Sequence, residues 1–130
     1  MADAFLDTSV FIDFVRGDAG AKVLLQPFIS LEKRASYSPI TVAEIWKGEG
    51  MKDRKQEIQY EAIFLIMEEA PLTSSVARIA GSWLRKCSRS MQRELFGDAL
   101  IAATAAQRGE LVYSRNVKHL KQFYNSVLTY

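Results

Sequence analysis

Short apolar runs along the chain alternate with longer segments in which apolar side chains recur every three or four residues. A buried strand produces the first pattern and an amphipathic helix produces the second. The short runs predict strands at residues 3–6, 35–38, 70–72, 110–114 and 126–130. Because helical segments separate these runs, the pattern predicts one α/β domain with a mainly parallel, twisted sheet of four to five strands.

The helical segments lie between and after these runs. They are predicted at residues 8–16, 18–34, 56–69, 74–88 and 99–108, with another helix opening at Thr41 and a short one ending near Phe123. Pro27 lies inside the second segment, so a kink or a break is expected there. The face of segment 56–69 that is predicted to pack on the core carries Ile58, Ala62, Leu65 and Ile66.

Length and composition limit the class of protein. At 130 residues the chain can bury the core of one domain without disulfides, and its single cysteine, Cys87, fits a reducing compartment. No stretch free of Asp, Glu, Lys and Arg exceeds nine residues, far below the roughly 20 apolar residues that span a bilayer. Asp3 and Asp7 precede any base, unlike a signal peptide. A cytoplasmic protein without a membrane segment is expected.

The formal net charge is +2, from 17 Lys and Arg against 15 Asp and Glu. This value is too close to neutral to indicate a nucleic-acid ligand. If a metal ion occupied three of the carboxylates, the remaining count would be 17 against 12, or +5. Net charge therefore neither supports nor excludes RNA as a partner.

Three acidic residues, Asp7, Glu44 and Asp98, lie where a predicted strand or loop passes into a helix. Each also has a purely structural explanation. Asp7, or the adjacent Thr8, can serve as a helix N-cap. Glu44 stands three residues after Thr41, as in a capping box, and Asp98 suits the positive end of a helix. Taken singly, none of the three acids defines a site.

The predicted topology gives these acids a common location. In a parallel sheet with right-handed crossovers, the strand-to-helix junctions and the turn at residues 114–116 open on one edge. Three carboxylates repel one another unless a cation neutralises them, and oxygen ligands favour Mg²⁺, with Mn²⁺ as a substitute, over zinc. A water whose pKa such an ion lowers is the nucleophile that phosphodiester hydrolysis needs.

Four segments carry a family resemblance, in the family's order and over essentially the whole chain. They are Leu6-Asp7-Thr8-Ser9-Val10, Thr41-Val42-Ala43-Glu44-Ile45 with Gly48, Gly97-Asp98-Ala99-Leu100-Ile101-Ala102-Ala103, and Ser114-Arg115-Asn116-Val117-Lys118-His119. Through them the chain resembles the PIN-domain ribonucleases, specifically the VapC-type toxins of bacterial and archaeal toxin–antitoxin pairs. The resemblance implies a three-layer α/β/α sandwich and a homodimeric endoribonuclease that a cognate antitoxin protein silences.

The resemblance also implies roles for single residues. The three junction acids are implied as the metal ligands. Asn116 stands where the family often has a fourth acid, and it is expected to hold the metal's water or a phosphate. Ser114 stands where the family has a hydroxyl near the metal, so it is counted with the catalytic group. His119 replaces a frequent Asp, and no catalytic role is assigned to it.

Basic side chains are expected to bind the RNA backbone, with bases of single-stranded loops stacking on aromatic rings. The expected substrate contacts are Thr8, Arg85, Lys86, Arg89, Arg93, Arg115 and Lys118. The cluster at residues 85–93 also has the simpler explanation of a solvated helix end. Asp13 is expected to be solvated or paired rather than a ligand, and Trp46 and Trp83 are assigned to packing.

The predicted function is a Mg²⁺-dependent endoribonuclease toxin of a type II toxin–antitoxin module. It would hydrolyse phosphodiester bonds of structured RNA, tRNA or rRNA, through a metal-activated water. The alternative is a non-catalytic PIN-like module that binds RNA or a protein. A nucleotide-binding P-loop is excluded because the chain has no Gly-Lys-Ser/Thr motif. A haloacid-dehalogenase-type phosphatase would need a second Asp at position 9, where Ser9 stands.

Overall fold

Residues 2–130 are described by the computed structural model of the chain, which contains a five-stranded sheet. The strands are β1 (Ala4–Leu6), β2 (Ala35–Tyr37), β3 (Glu68–Glu69), β4 (Val112–Tyr113) and β5 (Val127–Leu128). Their order across the sheet is β3-β2-β1-β4-β5, and every neighbouring pair is parallel. The expected parallel sheet is confirmed, and β1 lies at its centre.

Helices connect the strands. They are α1 (Thr8–Val15), α2 (Ala19–Ile29), α3 (Pro39–Glu44), α4 (Arg54–Leu65), α5 (Ser74–Leu84), α6 (Arg89–Glu94), α7 (Phe96–Arg108) and α8 (Val117–Leu120). A π-helical turn, Ile45–Glu49, extends α3 and contains Gly48 at a φ of 113°. None of the helices in residues 2–130 is long and apolar enough to cross a membrane.

Both faces of the sheet are covered. Successive side chains of a strand point to opposite faces. Accordingly, Leu6 packs in a cluster with Phe11 of α1 and Leu25 of α2, whereas Phe5 packs with Ile101 of α7. Helices α1, α2 and α4 form one layer, and α7 and α8 form the other, with α5 packed against α7. The α/β/α sandwich is confirmed, and β1 is buried along its whole length.

Helix α7 forms the interior of the second layer. Ala99, Ala102 and Ala105 are fully buried, so its backbone lies close to the elements around it. Gly109 follows the helix in the left-handed conformation, at a φ of 68°, which glycine adopts with little strain. Because Asp98 stands in the first turn of α7, this packing fixes where its carboxylate enters the site.

Helix α2 is shorter than predicted and ends at Ile29 rather than at residue 34. Pro27 stands in its last turn, and its carbonyl accepts the backbone N–H groups of Glu32 and Lys33. Leu31 follows with a positive φ of 64°. The proline therefore precedes the end of the helix instead of dividing a longer one, since a left-handed residue stops helical hydrogen bonding.

The buried face of α4 differs from the predicted one. Tyr60 and Ile63 are buried, while Ile58 is 52% and Leu65 85% exposed. Phe64 joins the buried face, with its ring centroid 5.1 Å from that of Phe11. The helix has two competing apolar stripes, and the one with two aromatic rings packs on the core because it buries more area. The prediction for this face was wrong.

Strand β3 was also predicted at the wrong residues. It consists of Glu68 and Glu69, which pair with Ser36 and Tyr37 of β2, and the backbone N–H of Ala70 then donates to the Tyr37 carbonyl at 2.8 Å. The strand lies at the edge of the sheet, and both glutamate side chains are exposed. An exposed edge strand carries no apolar run, so a search for buried runs finds its neighbour, residues 70–72, instead.

Candidate active site

A polar cavity of about 450 Å³ opens where β1 meets α1, beside the end of α3 and the start of α7. Its acidic lining residues are Asp7, Glu44, Glu94 and Asp98, its basic ones are Arg16, Lys47 and Arg115, and its remaining ones are Thr8, Ser9, Ile12 and Asn116. The three junction acids that the sequence singled out thus share one cavity. A ligand crevice at the carboxyl ends of parallel strands is usual for open α/β sheets.

Asp7 occupies the N-cap position of α1, but its side chain makes no capping hydrogen bond. Instead its Oδ2 accepts from the hydroxyls of Ser114 at 2.6 Å and Ser9 at 3.3 Å. The residue is 2% exposed. Burial raises the pKa of Asp7, and the Ser114 hydrogen bond opposes that rise. The explanation of Asp7 as only a cap is therefore wrong.

Glu44 stands at the end of α3, not in its first turn. Ser38 caps this helix through the N–H of Ile40, and Pro39 fills the first helical position, where its missing N–H costs nothing. Thr41 therefore does not open the helix, and the capping-box explanation of Glu44 is wrong. The Oε1 atom of Glu44 accepts from the Thr8 hydroxyl at 2.6 Å.

Two threonines support this position of Glu44. The Thr8 and Thr41 hydroxyl oxygens are 2.9 Å apart, and both residues are buried. Gly97 leaves room on the other side, because a Cβ atom there would lie 3.1 Å from Oε2 of Glu44. The Glu44 carboxylate is thus held between the start of α1 and the start of α7.

Asp98 is the third residue of α7, and the helix has no side-chain cap. Burial raises its pKa to about 6, and the negative charges of Asp7 and Glu44 add to the rise. His119 acts in the opposite direction, with its Nδ1 atom 3.5 Å from Oδ2 of Asp98. The sequence assigned His119 no role, whereas the structure places it beside this acid.

The three carboxylates fit a hard divalent cation by chemistry. Their oxygens are the ligands that such ions prefer, and their mutual repulsion is what a bound cation relieves. Among the side chains that the structure describes, however, no three from Asp, Glu, His and Cys already form a metal-ligand set. Hydroxyl groups donate to Oδ2 of Asp7 and to Oε1 of Glu44, which fixes the orientation of both carboxylates.

Ser114 and Asn116 have different relations to the cavity. Ser114 is fully buried beneath it, donates to Asp7 and accepts the backbone N–H of Asn116 at 2.8 Å. The Asn116 residue itself lines the cavity. Ser114 is therefore placed to orient Asp7 from behind, while Asn116 is placed to meet a ligand.

The basic residues divide into two groups. Arg115 lines the cavity, as do Arg16 and Lys47, which the sequence analysis missed. The other predicted substrate contacts are exposed and lie outside the lining: Arg85, Lys86, Arg89, Arg93 and Lys118. Helical spacing was the available signal, since Arg16 follows Ser9 and Ile12 on one face of α1 and Lys47 stands three residues after Glu44.

Glu94 is an acid that the sequence analysis also missed. It ends α6, a helix that was not predicted and that Ser88 caps through the N–H of Met91. The short helix ends just before α7 begins, and Glu94 lines the cavity four residues before Asp98. The serine cap before a polar segment was the sequence signal for α6.

A parallel α/β/α sandwich with acidic side chains gathered at one edge of its sheet is the architecture of the PIN domain, and the chain belongs to that family. The family's profile matches residues 4–123. Within the family, the chain falls among the VapC proteins. Ribonuclease VapC10 of Mycobacterium tuberculosis is 32% identical over 120 residues, covering 91% of this chain and 86% of the relative. Ribonuclease VapC19 of the same species is 30% identical over 119 residues, covering 91% and 92%.

Solved structures share the fold. VapBC2 from Rickettsia felis, bound to a DNA fragment from its promoter, matches with a TM-score of 0.74 at 15% identity over 98% of both chains. DNA-bound VapBC from Salmonella typhimurium matches with a TM-score of 0.72 at 18% identity, over 100% of this chain and 98% of that chain. A toxin–antitoxin complex from Klebsiella pneumoniae gives 0.71 at 23% identity, over 97% and 96%. The family resemblance noted in the sequence is confirmed.

Proposed function

We propose that this protein is the Mg²⁺-dependent endoribonuclease toxin of a type II toxin–antitoxin module, and that it hydrolyses phosphodiester bonds of structured RNA such as tRNA or rRNA. The observation that carries the proposal is that Asp7, Glu44 and Asp98 line one polar cavity at the end of the central strand. Asp7 and Glu44 raise the pKa of Asp98, and this repulsion is a cost that a binding module does not need and a bound cation relieves. The ribonuclease names of the two VapC relatives support the same reaction class.

Asp7, Glu44 and Asp98 are proposed to hold the ion, with Mn²⁺ as an alternative to Mg²⁺. A divalent ion bound there supplies the positive charge that makes water nucleophilic and offsets charge on the phosphate. Ser114 and Ser9 fix the Asp7 carboxylate, and Thr8 fixes Glu44. In this proposal Thr8 and Ser114 position acids, and Asn116 contacts the water or a phosphate.

The RNA backbone is proposed to lie across the cationic rim, which we define as Arg16, Lys47 and Arg115. These three side chains line the same cavity as the acids, so they can neutralise phosphates that flank the scissile bond. Arg85, Arg89, Arg93 and Lys118 would contact phosphates farther along the strand. RNA contacts of both kinds predict that affinity falls as salt concentration rises.

A cognate antitoxin and a homodimer are further parts of the proposal. The structural neighbours are described as VapBC and toxin–antitoxin complexes, which supports an antitoxin partner for this chain. We propose a cytoplasmic location, where RNA is available. Expression of the chain without its antitoxin should then arrest growth, and Asp98→Asn should relieve the arrest.

The test is cleavage of total RNA by the purified, antitoxin-free protein with Mg²⁺, with EDTA and as the Asp7→Asn variant. Discrete fragments are expected only from the wild-type protein with Mg²⁺. Glu61→Gln is the matched control, because Glu61 is an exposed acid of α4 outside the cavity, and it should cleave like the wild type. Cleavage that survives both EDTA and Asp7→Asn would contradict the carboxylate mechanism.

One observation favours the non-catalytic alternative. Hydroxyl groups of the chain itself already donate to Asp7 and to Glu44. A folded protein that binds RNA but neither binds Mg²⁺ nor cleaves any RNA fraction would support a binding module. Titration calorimetry with Mg²⁺ on the wild type and on Asp98→Asn separates the two functions without any need to know the RNA target.

A further inference from the structure

Asp13 is a buried acid that the proposed reaction does not use. It lies on α1 six residues after Asp7 and is 7% exposed. A carboxylate in such a place destabilises the fold unless it is paired and hydrogen-bonded. Its partners come from the far end of the sequence, so the pairing forms only in the folded protein.

Both oxygens of the Asp13 carboxylate have a donor. Nη1 of Arg115 donates to Oδ1, and the hydroxyl of Tyr130 donates to Oδ2 at 2.5 Å. Burial of Tyr130, together with the adjacent Asp13 carboxylate, raises the pKa of the phenol, so the hydroxyl keeps its proton at neutral pH. Tyr130 and Arg115 thus share one carboxylate between them.

Arg115 is fixed at two points. Its backbone N–H donates to Oγ of Ser9 at 3.0 Å, and its guanidinium is held by Asp13. The side chain also lines the acidic cavity and is 53% exposed. A guanidinium has five N–H donors in a planar fork, a geometry that matches phosphate oxygens. The Asp13 bond therefore restrains the guanidinium beside the cavity through Nη1, and the fork carries further N–H donors that suit a phosphate.

We propose that Asp13 and Tyr130 are positioning residues that hold the Arg115 guanidinium at the cavity, where it binds an RNA phosphate next to the scissile bond. The identity of the ligand rests on the proposed ribonuclease function. A pairing that only neutralised Asp13 would affect stability alone. A positioning role requires in addition that Tyr130 influence RNA binding, and that it do so through Arg115.

The experiment is a double-mutant cycle on RNA binding. The variants are Tyr130→Phe, Arg115→Lys and the double variant; lysine keeps a positive charge for Asp13 but has no fork. Affinity for a fluorescein-labelled RNA hairpin is measured by anisotropy in EDTA, so that no cleavage occurs. Tyr130→Phe is expected to weaken binding about three- to tenfold, and to add less than about twofold when Arg115→Lys is already present.

Tyr124→Phe is the matched control. The Tyr124 hydroxyl also donates one partly buried hydrogen bond, to the Glu110 carbonyl at 2.9 Å, but Tyr124 does not line the cavity. It should bind RNA like the wild type. In cleavage assays, Tyr130→Phe should raise KM more than it lowers kcat, a split that loss of stability does not produce.

Two results would overturn the proposal: wild-type affinity in Tyr130→Phe, or an equal loss whether or not Arg115 is replaced. Absence of hairpin binding by the folded wild-type protein would overturn it as well. Failure of the proposed function looks different, because the wild-type protein would then bind RNA with the expected cycle but cleave nothing with Mg²⁺. Normal cleavage with an unchanged Tyr130→Phe variant rejects the positioning role alone.

Discussion

Each of the three junction acids, Asp7, Glu44 and Asp98, has a neighbour that the fold brings from another element. Ser114 fixes Asp7 across the sheet, Thr8 fixes Glu44 across two helices, and His119 stands next to Asp98. Burial, together with the negative charges of Asp7 and Glu44 that these contacts keep nearby, raises the pKa of Asp98 to about 6. At the scale of the residue, the closeness of these acids therefore lowers the free energy of unfolding of the protein without a bound cation.

Asp98→Asn should stabilise the metal-free protein at pH 7.5. Because the folded-state pKa of about 6 exceeds the ordinary aspartate value of 3.8, the charged form is disfavoured in the fold, and the free energy of unfolding falls as pH rises between these values. The amide removes that cost, about 1 kcal/mol after allowance for solvent screening. Urea denaturation in EDTA measures it, and the gain should vanish near pH 4. A variant less stable than the wild type at pH 7.5 would contradict the pKa shift.

Gly97→Ala should weaken metal binding while leaving the fold intact. The new Cβ would lie 3.1 Å from Oε2 of Glu44, which the Thr8 hydrogen bond keeps from moving freely. Mn²⁺ affinity, followed by the free-ion EPR signal, is expected to fall about tenfold, with stability changed by less than about 1 kcal/mol. Gly81→Ala is the control, because no atom lies within 4 Å of its Cβ position. Unchanged affinity in Gly97→Ala would mean that Glu44 adapts or is not a ligand.

At the scale of the element, helix ends decide where the site residues stand. Ser38 and Pro39 start α3 early enough that Glu44 falls at its end, next to α7. Ser88 starts α6, which delivers Glu94 to the cavity. The faces of the helices are decided by packing, as α4 demonstrates with two apolar stripes of which only one is buried.

Two isoleucines of α4 test that face directly. Ile63 is 7% exposed and packs in the core, whereas Ile58 is 52% exposed on the same helix. Ile63→Ala should lower the free energy of unfolding by about 2–4 kcal/mol, and Ile58→Ala by about 0.5 kcal/mol or less. Chemical denaturation of both variants gives the comparison. Equal losses of unfolding free energy in the two variants would mean that Ile63 does not lie on the buried face of α4.

At the scale of the whole molecule, the parallel sheet gathers chemistry from distant parts of the chain. Asp7, Glu44 and Asp98 come from separate segments, and Arg115 and Tyr130 reach Asp13 across more than 100 residues. Only the folded state assembles these groups. Ligands of the cavity therefore stabilise the fold as a whole.

Mg²⁺ should raise the thermal unfolding midpoint of the wild-type protein at pH 7.5. Each tenfold increase of the free ion concentration above the dissociation constant adds about 1.4 kcal/mol to the free energy of unfolding. The shift should shrink at pH 5, because Asp98, with a pKa of about 6, is then mostly protonated and binds the ion poorly. Scanning fluorimetry with MgCl₂ or EDTA measures the effect, and Asp98→Asn should respond less. An equal Mg²⁺ effect at both pH values would argue against ion binding at Asp98.

The order of elements, the parallel sheet and the three acids could be predicted from the sequence because each has a local signal. A buried strand such as β1 is an apolar run, and Asp7, Glu44 and Asp98 mark junctions within recognisable segments. The family resemblance rests on those same segments. For these features, short-range patterning and the handedness of crossovers suffice.

Tertiary structure alone decided the rest, because it depends on which surfaces compete for the core. The exposed edge strand β3 has no apolar run, and the buried stripe of α4 is chosen by the neighbours it meets. The pairing of Asp13 with Arg115 and Tyr130 joins residues that no local pattern connects. Likewise, the sequence identified the acids as a set, but the packing of several elements around the cavity determined which hydroxyl, imidazole and glycine surround each one.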